Sequence, residues 1–266
     1  MRVRLFVASA VLALAIVGIG AAAPPPTLEA GTLTVGVAMP SEGFQVGVVK
    51  GSTVLMARGL EIDLARELSK RLGLSRTRFV QSDFDRLLSG GVKPWDLAIA
   101  EITITPARRR LVDFSIPYMR VDQGVLLAQT VDPIPRTIAA LRPLQLCALA
   151  GSTGADLVRT TIRPTVPMRS ERTVPRLMLD LQTGICQAVV YDAPALGTLK
   201  ERAPLRFGPF AGVIRTGEEY GIALPIGSPL VSRVDNALAS MLSDGTVAEL
   251  QRKWLSGALN RLPVLG

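Results

Sequence analysis

The sequence predicts an α/β protein of two lobes, each a mixed, mostly parallel sheet flanked by helices. Three observations carry this. Short apolar, strand-like runs alternate with amphipathic helical stretches, the pattern of a largely parallel sheet with covering helices. The alternation occurs twice, in residues 31–102 and again in 144–201, with different residues each time. A chain of 266 residues also suits two lobes of ordinary size better than one continuous sheet.

The elements follow in order. Residues 31–39 (GTLTVGVAM) alternate and then run apolar, as a buried strand does. Residues 40–59 contain Gly43, Gly47, Gly51 and Gly59 and read as a loop. Leu60, Leu64, Leu68 and Leu72 recur every fourth residue, predicting a helix over 60–72 that Gly73 ends. A short strand at 77–81, a short helix at 83–88 and a buried strand at 96–102 complete the first unit. In the second, strands are expected at 144–149 and 188–191. Helices are expected at 155–161, 174–182 and 194–201. A strand at 220–224 then leads to helices at 229–242 and 247–255, with Leu250 and Trp254 facing inward.

Composition narrows the function. Thirty basic residues against 22 acidic ones give a net charge of +8. The arginines are dispersed and aromatics make up only 5%, so no nucleic-acid partner is expected, because such a surface concentrates charge and supplies stacking rings. There is no histidine, which removes Ser-His-Asp and Cys-His catalysis. Two cysteines do not build a usual zinc or iron–sulfur site. No cofactor or metal is expected.

The N-terminus reads as a targeting segment. Arg2 and Arg4 precede an apolar run over 5–20, and Ala21, Ala22 and Ala23 offer small residues for cleavage. Residues 1–23 are expected to be a signal peptide or, being nearly long enough to span a bilayer, an uncleaved N-terminal anchor. Either way the chain is expected to be exported, periplasmic or otherwise extracytoplasmic. Cys147 and Cys186 are then an even pair in a compartment where disulfides persist. Both lie in apolar strand-like segments of one region, which favours a disulfide over two buried thiols.

Three local patterns carry candidate chemistry. Residues 100–108 (AEITITPAR) end a strand in a polar turn. Arg108 there can grip a carboxylate through two parallel hydrogen bonds, and Thr103 offers a hydroxyl and an N–H. A plain surface arginine is the alternative. Gly151-Ser152-Thr153-Gly154 lies at a strand-to-helix turn, where backbone amides attract an anion; its alternative is a simple N-cap. Asp192 ends a buried strand before a helix, where α/β folds bind ligands, and again an N-cap is the alternative. An arginine, an aspartate and two hydroxyl turns at strand ends suit a small zwitterion.

These stretches resemble the polar amino-acid solute-binding proteins of bacterial ABC importers, solute-binding protein family 3. The resemblance runs through GTLTVGV at 31–37, GLEIDLARELSKRLG at 59–73 and WDLAIAEITITPARRRLVDFSIPY at 95–118. It continues through GSTGAD at 151–156, LQTGICQAVVYDAP ending at Pro194, EEYGIALPIGSPL at 218–230 and DGTVAELQRKW at 244–254. It covers residues 31 to about 256.

The resemblance implies a two-lobe clamshell of the type II periplasmic-binding-protein kind with two crossover strands. Lobe 1 would comprise 31–124 plus 222–266, and lobe 2 would comprise 128–218. It implies that Arg108 holds a ligand α-carboxylate and that Thr103 adds hydroxyl and amide contacts. Ser152 and Thr153 would reach the carboxylate from the other lobe, and Asp192 would accept from the α-ammonium. Phe84 matches one of the aromatics that usually lie over the ligand, and Phe44 is a looser candidate. The expected ligand is an amino acid, polar or cationic, and the expected partner is an ABC transporter permease served by a monomer. Cys147 and Cys186 would fall on neighbouring strands of lobe 2.

Two departures stand out. Glu101 occupies a position where the family commonly has glycine, serine or alanine; it either reads a cationic side chain or turns into a structural pair with an arginine. Residues 40–58 lack the usual Pro-Pro-Phe pattern. The resemblance also brings a competing function, a cyclohexadienyl or arogenate dehydratase in which Glu101 is the acid. Arg108 nearby is expected to keep Glu101 ionised, which favours a binding protein, not an enzyme.

Overall fold

The computed structural model describes residues 24–255, 257 and 262–266. The expected signal peptide or anchor at 1–23 lies outside the described residues. In chain order the elements are β1 (Thr32–Val37), β2 (Val46–Lys50), β3 (Thr53–Arg58), α1 (Leu60–Arg71), β4 (Arg76–Gln81), α2 (Phe84–Leu88), β5 (Leu97–Ala98), β6 (Asp113–Phe114) and β7 (Met119–Leu127). There follow α3 (Ile138–Leu141), β8 (Leu146–Leu149), α4 (Thr153–Leu157), β9 (Arg169–Glu171), α5 (Val174–Gln182), β10 (Ala188–Asp192), α6 (Ala193–Arg202), β11 (Phe210–Tyr220), β12 (Ala223–Leu224), α7 (Val231–Ser243) and α8 (Thr246–Trp254).

These strands form two sheets, one per lobe. The first has seven strands in the order β2-β3-β4-β1-β5-β12-β6, and the second has five in the order β11-β7-β10-β8-β9. In each, the parallel pairs form one block (β4-β1-β5 and β10-β8-β9) and antiparallel strands extend the sheet beyond it. β1 and β10 are buried along their whole length, which is why they read as apolar runs and not as alternating strands.

α1 places Leu60, Leu64, Ala65 and Leu68 in the core against the first sheet. α7 and α8 return to the same core through Val234, Leu238, Met241 and Val247. The Trp254 indole N–H donates to Asp63 of α1 at 2.9 Å, which fixes α8 in place. In the second lobe Cys147 of β8 is bonded to Cys186, with Cα atoms 5.8 Å apart, as the sequence favours.

The structure departs from the sequence reading in several places. Residues 40–59 are not all loop: β2 and β3 form an antiparallel hairpin on the edge of the first sheet. Its exposed residues hide the alternation that marks a half-buried strand, and Gly47 sits at a register shift beside the Leu55 carbonyl, where a Cβ would come within 3.0 Å. The two long strands β7 and β11 pair with each other and carry the chain between the lobes. All of β7, from Met119, belongs to the second sheet. The C-terminus also lies on that sheet: Val213 donates to the Pro263 carbonyl at 2.9 Å, and Leu265 donates back to Val213 at 2.8 Å.

Candidate functional site

A cavity of about 540 Å³ opens where the strand ends of the two lobes face each other. That volume is in the range that holds a small ligand. Glu101, Thr103, Arg108 and Phe84 line it from the first lobe, and Ser152, Thr153 and Asp192 line it from the second. Phe44 is not brought to it. Its ring is fully buried edge-on to Tyr220, 6.1 Å between centroids, and serves as core. A candidate based on one aromatic in an unmatched loop had no periodicity to show which way the ring points.

Arg108 opens a single turn of 3-10 helix (Arg108–Arg110) after the Thr105-Pro106 turn. It is buried, not a surface arginine. Its guanidinium donates to the Thr103 carbonyl at 2.8 Å and across the lobes to the Gly151 carbonyl at 3.1 Å. It lies over the Phe84 ring, 5.3 Å from the centroid, a cation–π contact. Burial lowers its pKa, while the charges of Asp192 and Glu218 work to raise it. The lobes meet closely here, because a Cβ on Gly151 (φ 71°) would lie 2.6 Å from Asp85 Oδ1.

Asp192 ends β10 and begins α6, but its carboxylate makes no capping bond. It accepts from the Tyr220 hydroxyl at 2.6 Å and from the Gln123 amide. Burial pushes its pKa up to about 6, with the Glu218 charge adding to the rise and the Tyr220 hydrogen bond opposing it. Ser152 behaves as the N-cap alternative requires: its Oγ accepts from Ala155 N at 3.1 Å and donates to the Leu149 carbonyl at 2.7 Å. Its hydroxyl is therefore committed to the turn.

Thr103 and Thr153 come from opposite lobes and both donate to Glu218 Oε2, at 2.8 and 2.5 Å. Glu218 also accepts from Gln123 at 3.1 Å. A ligand carboxylate that takes these hydroxyls must displace Glu218. Outside the cavity, Arg202 of α6 pairs with Glu42 and also ties the lobes.

Glu101 stands just past β5 with a left-handed backbone, φ 52°. Its N–H donates to Glu61 Oε1 at 2.7 Å. Glu61 also accepts from the Tyr118 hydroxyl and from Gln45 at 2.5 Å. Burial raises Glu61 to about 7. Burial, then the charges of Glu61 and Asp192, raise Glu101 well above the carboxylate range. Arg108 does not counter this; its guanidinium donates to the Thr103 and Gly151 carbonyls. The expectation that Arg108 keeps Glu101 ionised is therefore corrected.

Sequence reasoning missed Glu61, Gln123, Glu218 and Tyr220. Glu61 had a signal: with Leu64, Ala65 and Leu68 it falls at i, i+3, i+4 and i+7, so a carboxylate stands on the buried stripe of α1. Glu218 had none, because it reaches the site through a register shift in β11.

Residues 33–257 match the bacterial extracellular solute-binding proteins, family 3. This chain belongs to that family. Among curated relatives, the L-cystine-binding protein TcyJ of Escherichia coli (strain K12) is 26% identical over 204 residues, 76% of each chain. The lysine/arginine/ornithine-binding periplasmic protein of the same strain is 28% identical over 242 residues, 88% of this chain and 89% of that one. Among solved structures, the ancestral amino acid-binding protein AncCDT-1, described as a precursor of cyclohexadienyl dehydratase, is 27% identical with a TM-score of 0.72, covering 85% of this chain and 96% of its own. The cavity lining of this family 3 protein supplies a buried guanidinium and two buried carboxyls.

Proposed function

We propose that this protein captures a free α-amino acid between its lobes outside the cytoplasm and, as a monomer, delivers it unchanged to the permease of an ABC importer. One observation carries the reading: a single cavity has Arg108 to take a carboxylate and Asp192 to take an α-ammonium. Opposite charges at the two groups select a zwitterion, and a closed, dry cavity strengthens both pairs. Relatives whose names specify cystine or lysine, arginine and ornithine support the ligand class. In this reading the expected lobe bounds shift with the sheets, to 31–118 plus 222–255 for lobe 1 and 119–220 plus 262–266 for lobe 2, and residues 1–23 direct export or anchor the chain. Calorimetric titration with a panel of the common amino acids tests it. Tight one-to-one binding of one chemical class is expected, and silence across the panel would overturn it.

A second reading has one observation in its favour. Glu101 is a cavity carboxyl held toward its protonated form, as a dehydratase acid must be. Incubation with prephenate or arogenate decides it, since turnover supports an enzyme and recovery of intact substrate supports carriage.

A further inference from the structure

The cavity is lined by a buried carboxyl that keeps one oxygen without a partner among the described residues. Glu101 lines the cavity and is only 7% exposed. Its Oε2 is itself enclosed and has no hydrogen-bond partner among the described residues, although buried polar atoms normally find one. Its left-handed backbone is a conformation that non-glycine residues avoid and that persists where the surroundings enforce it. Here Glu61 enforces it by accepting the Glu101 N–H. Strain and an unused carboxyl oxygen at one residue mark a place kept for a ligand.

Charge counting says which kind. Arg172, Asp83 and Asp85 line the exposed rim of the cavity, and among the buried described residues at the site the carboxyls Glu61, Glu101 and Asp192 stand against the one guanidinium of Arg108. Arg108 is turned to the carbonyls of Thr103 and Gly151 and is not offered to Glu101. The zwitterionic core of an amino acid brings a carboxylate for Arg108 and an ammonium for Asp192. Glu101 is then left facing the ligand's side chain without a counter-charge.

We propose that Glu101 selects the side chain: its carboxyl receives a second cationic group, an ammonium or a guanidinium, so the pocket takes amino acids with basic side chains. This deepens the amino-acid reading above and rests on it.

Proton exchange follows from the same geometry. The groups facing Glu101 are Glu61 from α1, Asp192 from β10 and the phenols of Tyr118, Tyr191 and Tyr220, all three raised by burial and therefore uncharged. With the empty cavity burial and the two carboxylates keep Glu101 protonated, and the Ser41 hydroxyl works weakly against them. A cationic side chain reverses the balance. One positive charge enters with the ligand and one proton leaves to solvent. A neutral side chain leaves that proton in place.

The test is calorimetric titration with lysine, arginine and glutamine in buffers of different ionisation enthalpy, for the wild type and Glu101→Gln. Lysine and arginine are expected to release more protons than glutamine. Glu101→Gln is expected to remove that excess and to lower the ratio of basic to neutral affinity by about 10- to 100-fold, the range for a lost charge-assisted hydrogen bond. Equal proton release for all three ligands with an unchanged ratio overturns this inference and leaves the amino-acid site standing. Binding of no amino acid overturns both. Should the glutamine variant fail to fold, Glu101→Gly suits the left-handed backbone and carries the same comparison; an unchanged ratio there is equally contrary.

Discussion

The first lobe brings Glu101 and Arg108 to the cavity on a strand end and one tight turn, with the buried Glu61 behind them. The second brings Ser152, Thr153 and Asp192 at helix starts, on a sheet stapled by a disulfide. Two cavity groups of the second lobe, Ser152 and Asp192, are satisfied within the protein. Ser152 caps α4, and Asp192 holds Tyr220 and Gln123. On the first lobe Glu101 keeps an oxygen without a partner. The difference teaches a division of labour in the proposed site: the first lobe offers Arg108 and a carboxyl with an unpartnered oxygen, and the second supplies a disulfide-stapled wall whose one buried carboxyl at the cavity, Asp192, is already held by Tyr220 and Gln123.

The strongest way to break this comparison is Arg108→Ala. It leaves a ligand carboxylate unpaired in a buried site, so affinity should fall by roughly 3–5 kcal/mol. Unchanged affinity by calorimetry would remove the first lobe from its role. The rigidity of the second lobe is tested by replacing Cys147 and Cys186 together with serine. The closed loop of 39 residues predicts a stability loss of about 4 kcal/mol in the chain-entropy account. Denaturant unfolding measures it, and a loss near zero would mean the wall does not need its staple.

The buried carboxyls give a third test, through pH. Glu61 is raised to about 7 and Asp192 to about 6. The folded state thus holds protons that the unfolded chain releases near pH 4. Their contribution to stability is fully present below that pH and is lost as pH rises through 6 and then 7. The ligand-free protein should therefore be more stable at pH 5 than at pH 8, by an amount on the order of 4 kcal/mol at about 1.4 kcal/mol per pKa unit. Glu61→Gln should flatten the upper part of the slope, and a stability that does not vary over this window contradicts the account. The smallest expected effect is on the second lobe. Ser152→Ala should cost about 1 kcal/mol of stability through the lost N-cap, with amino-acid affinity nearly unchanged. A large loss of affinity would move Ser152 from scaffold to ligand contact.

Much of the candidate site was readable because its residues follow strand ends. Arg108, Thr103, Ser152, Thr153 and Asp192 all line the cavity, and the resemblance to a family carried their roles. Phe44 failed because one aromatic in a glycine-rich loop has no neighbours in register to say where it points. β7 and β11 were not drawn as long strands because their pairing is with each other across the chain. That pairing is non-local, and its register shift is what delivers Glu218 to the two threonines.

The sequence by itself determined the alternating elements, the buried central strands and the placing of polar residues at strand ends, because apolar periodicity is local and survives without knowledge of partners. It also favoured a bond between Cys147 and Cys186, which the structure contains. Only the tertiary structure decided which carboxyls share the buried space with Arg108. Whether a carboxyl is charged depends on neighbours tens of residues away: Glu61 lies 40 residues from Glu101 along the chain, yet accepts its N–H. Burial, the sum of nearby charge and the supply of donors set that outcome, and they exist only once the two lobes have closed on one cavity.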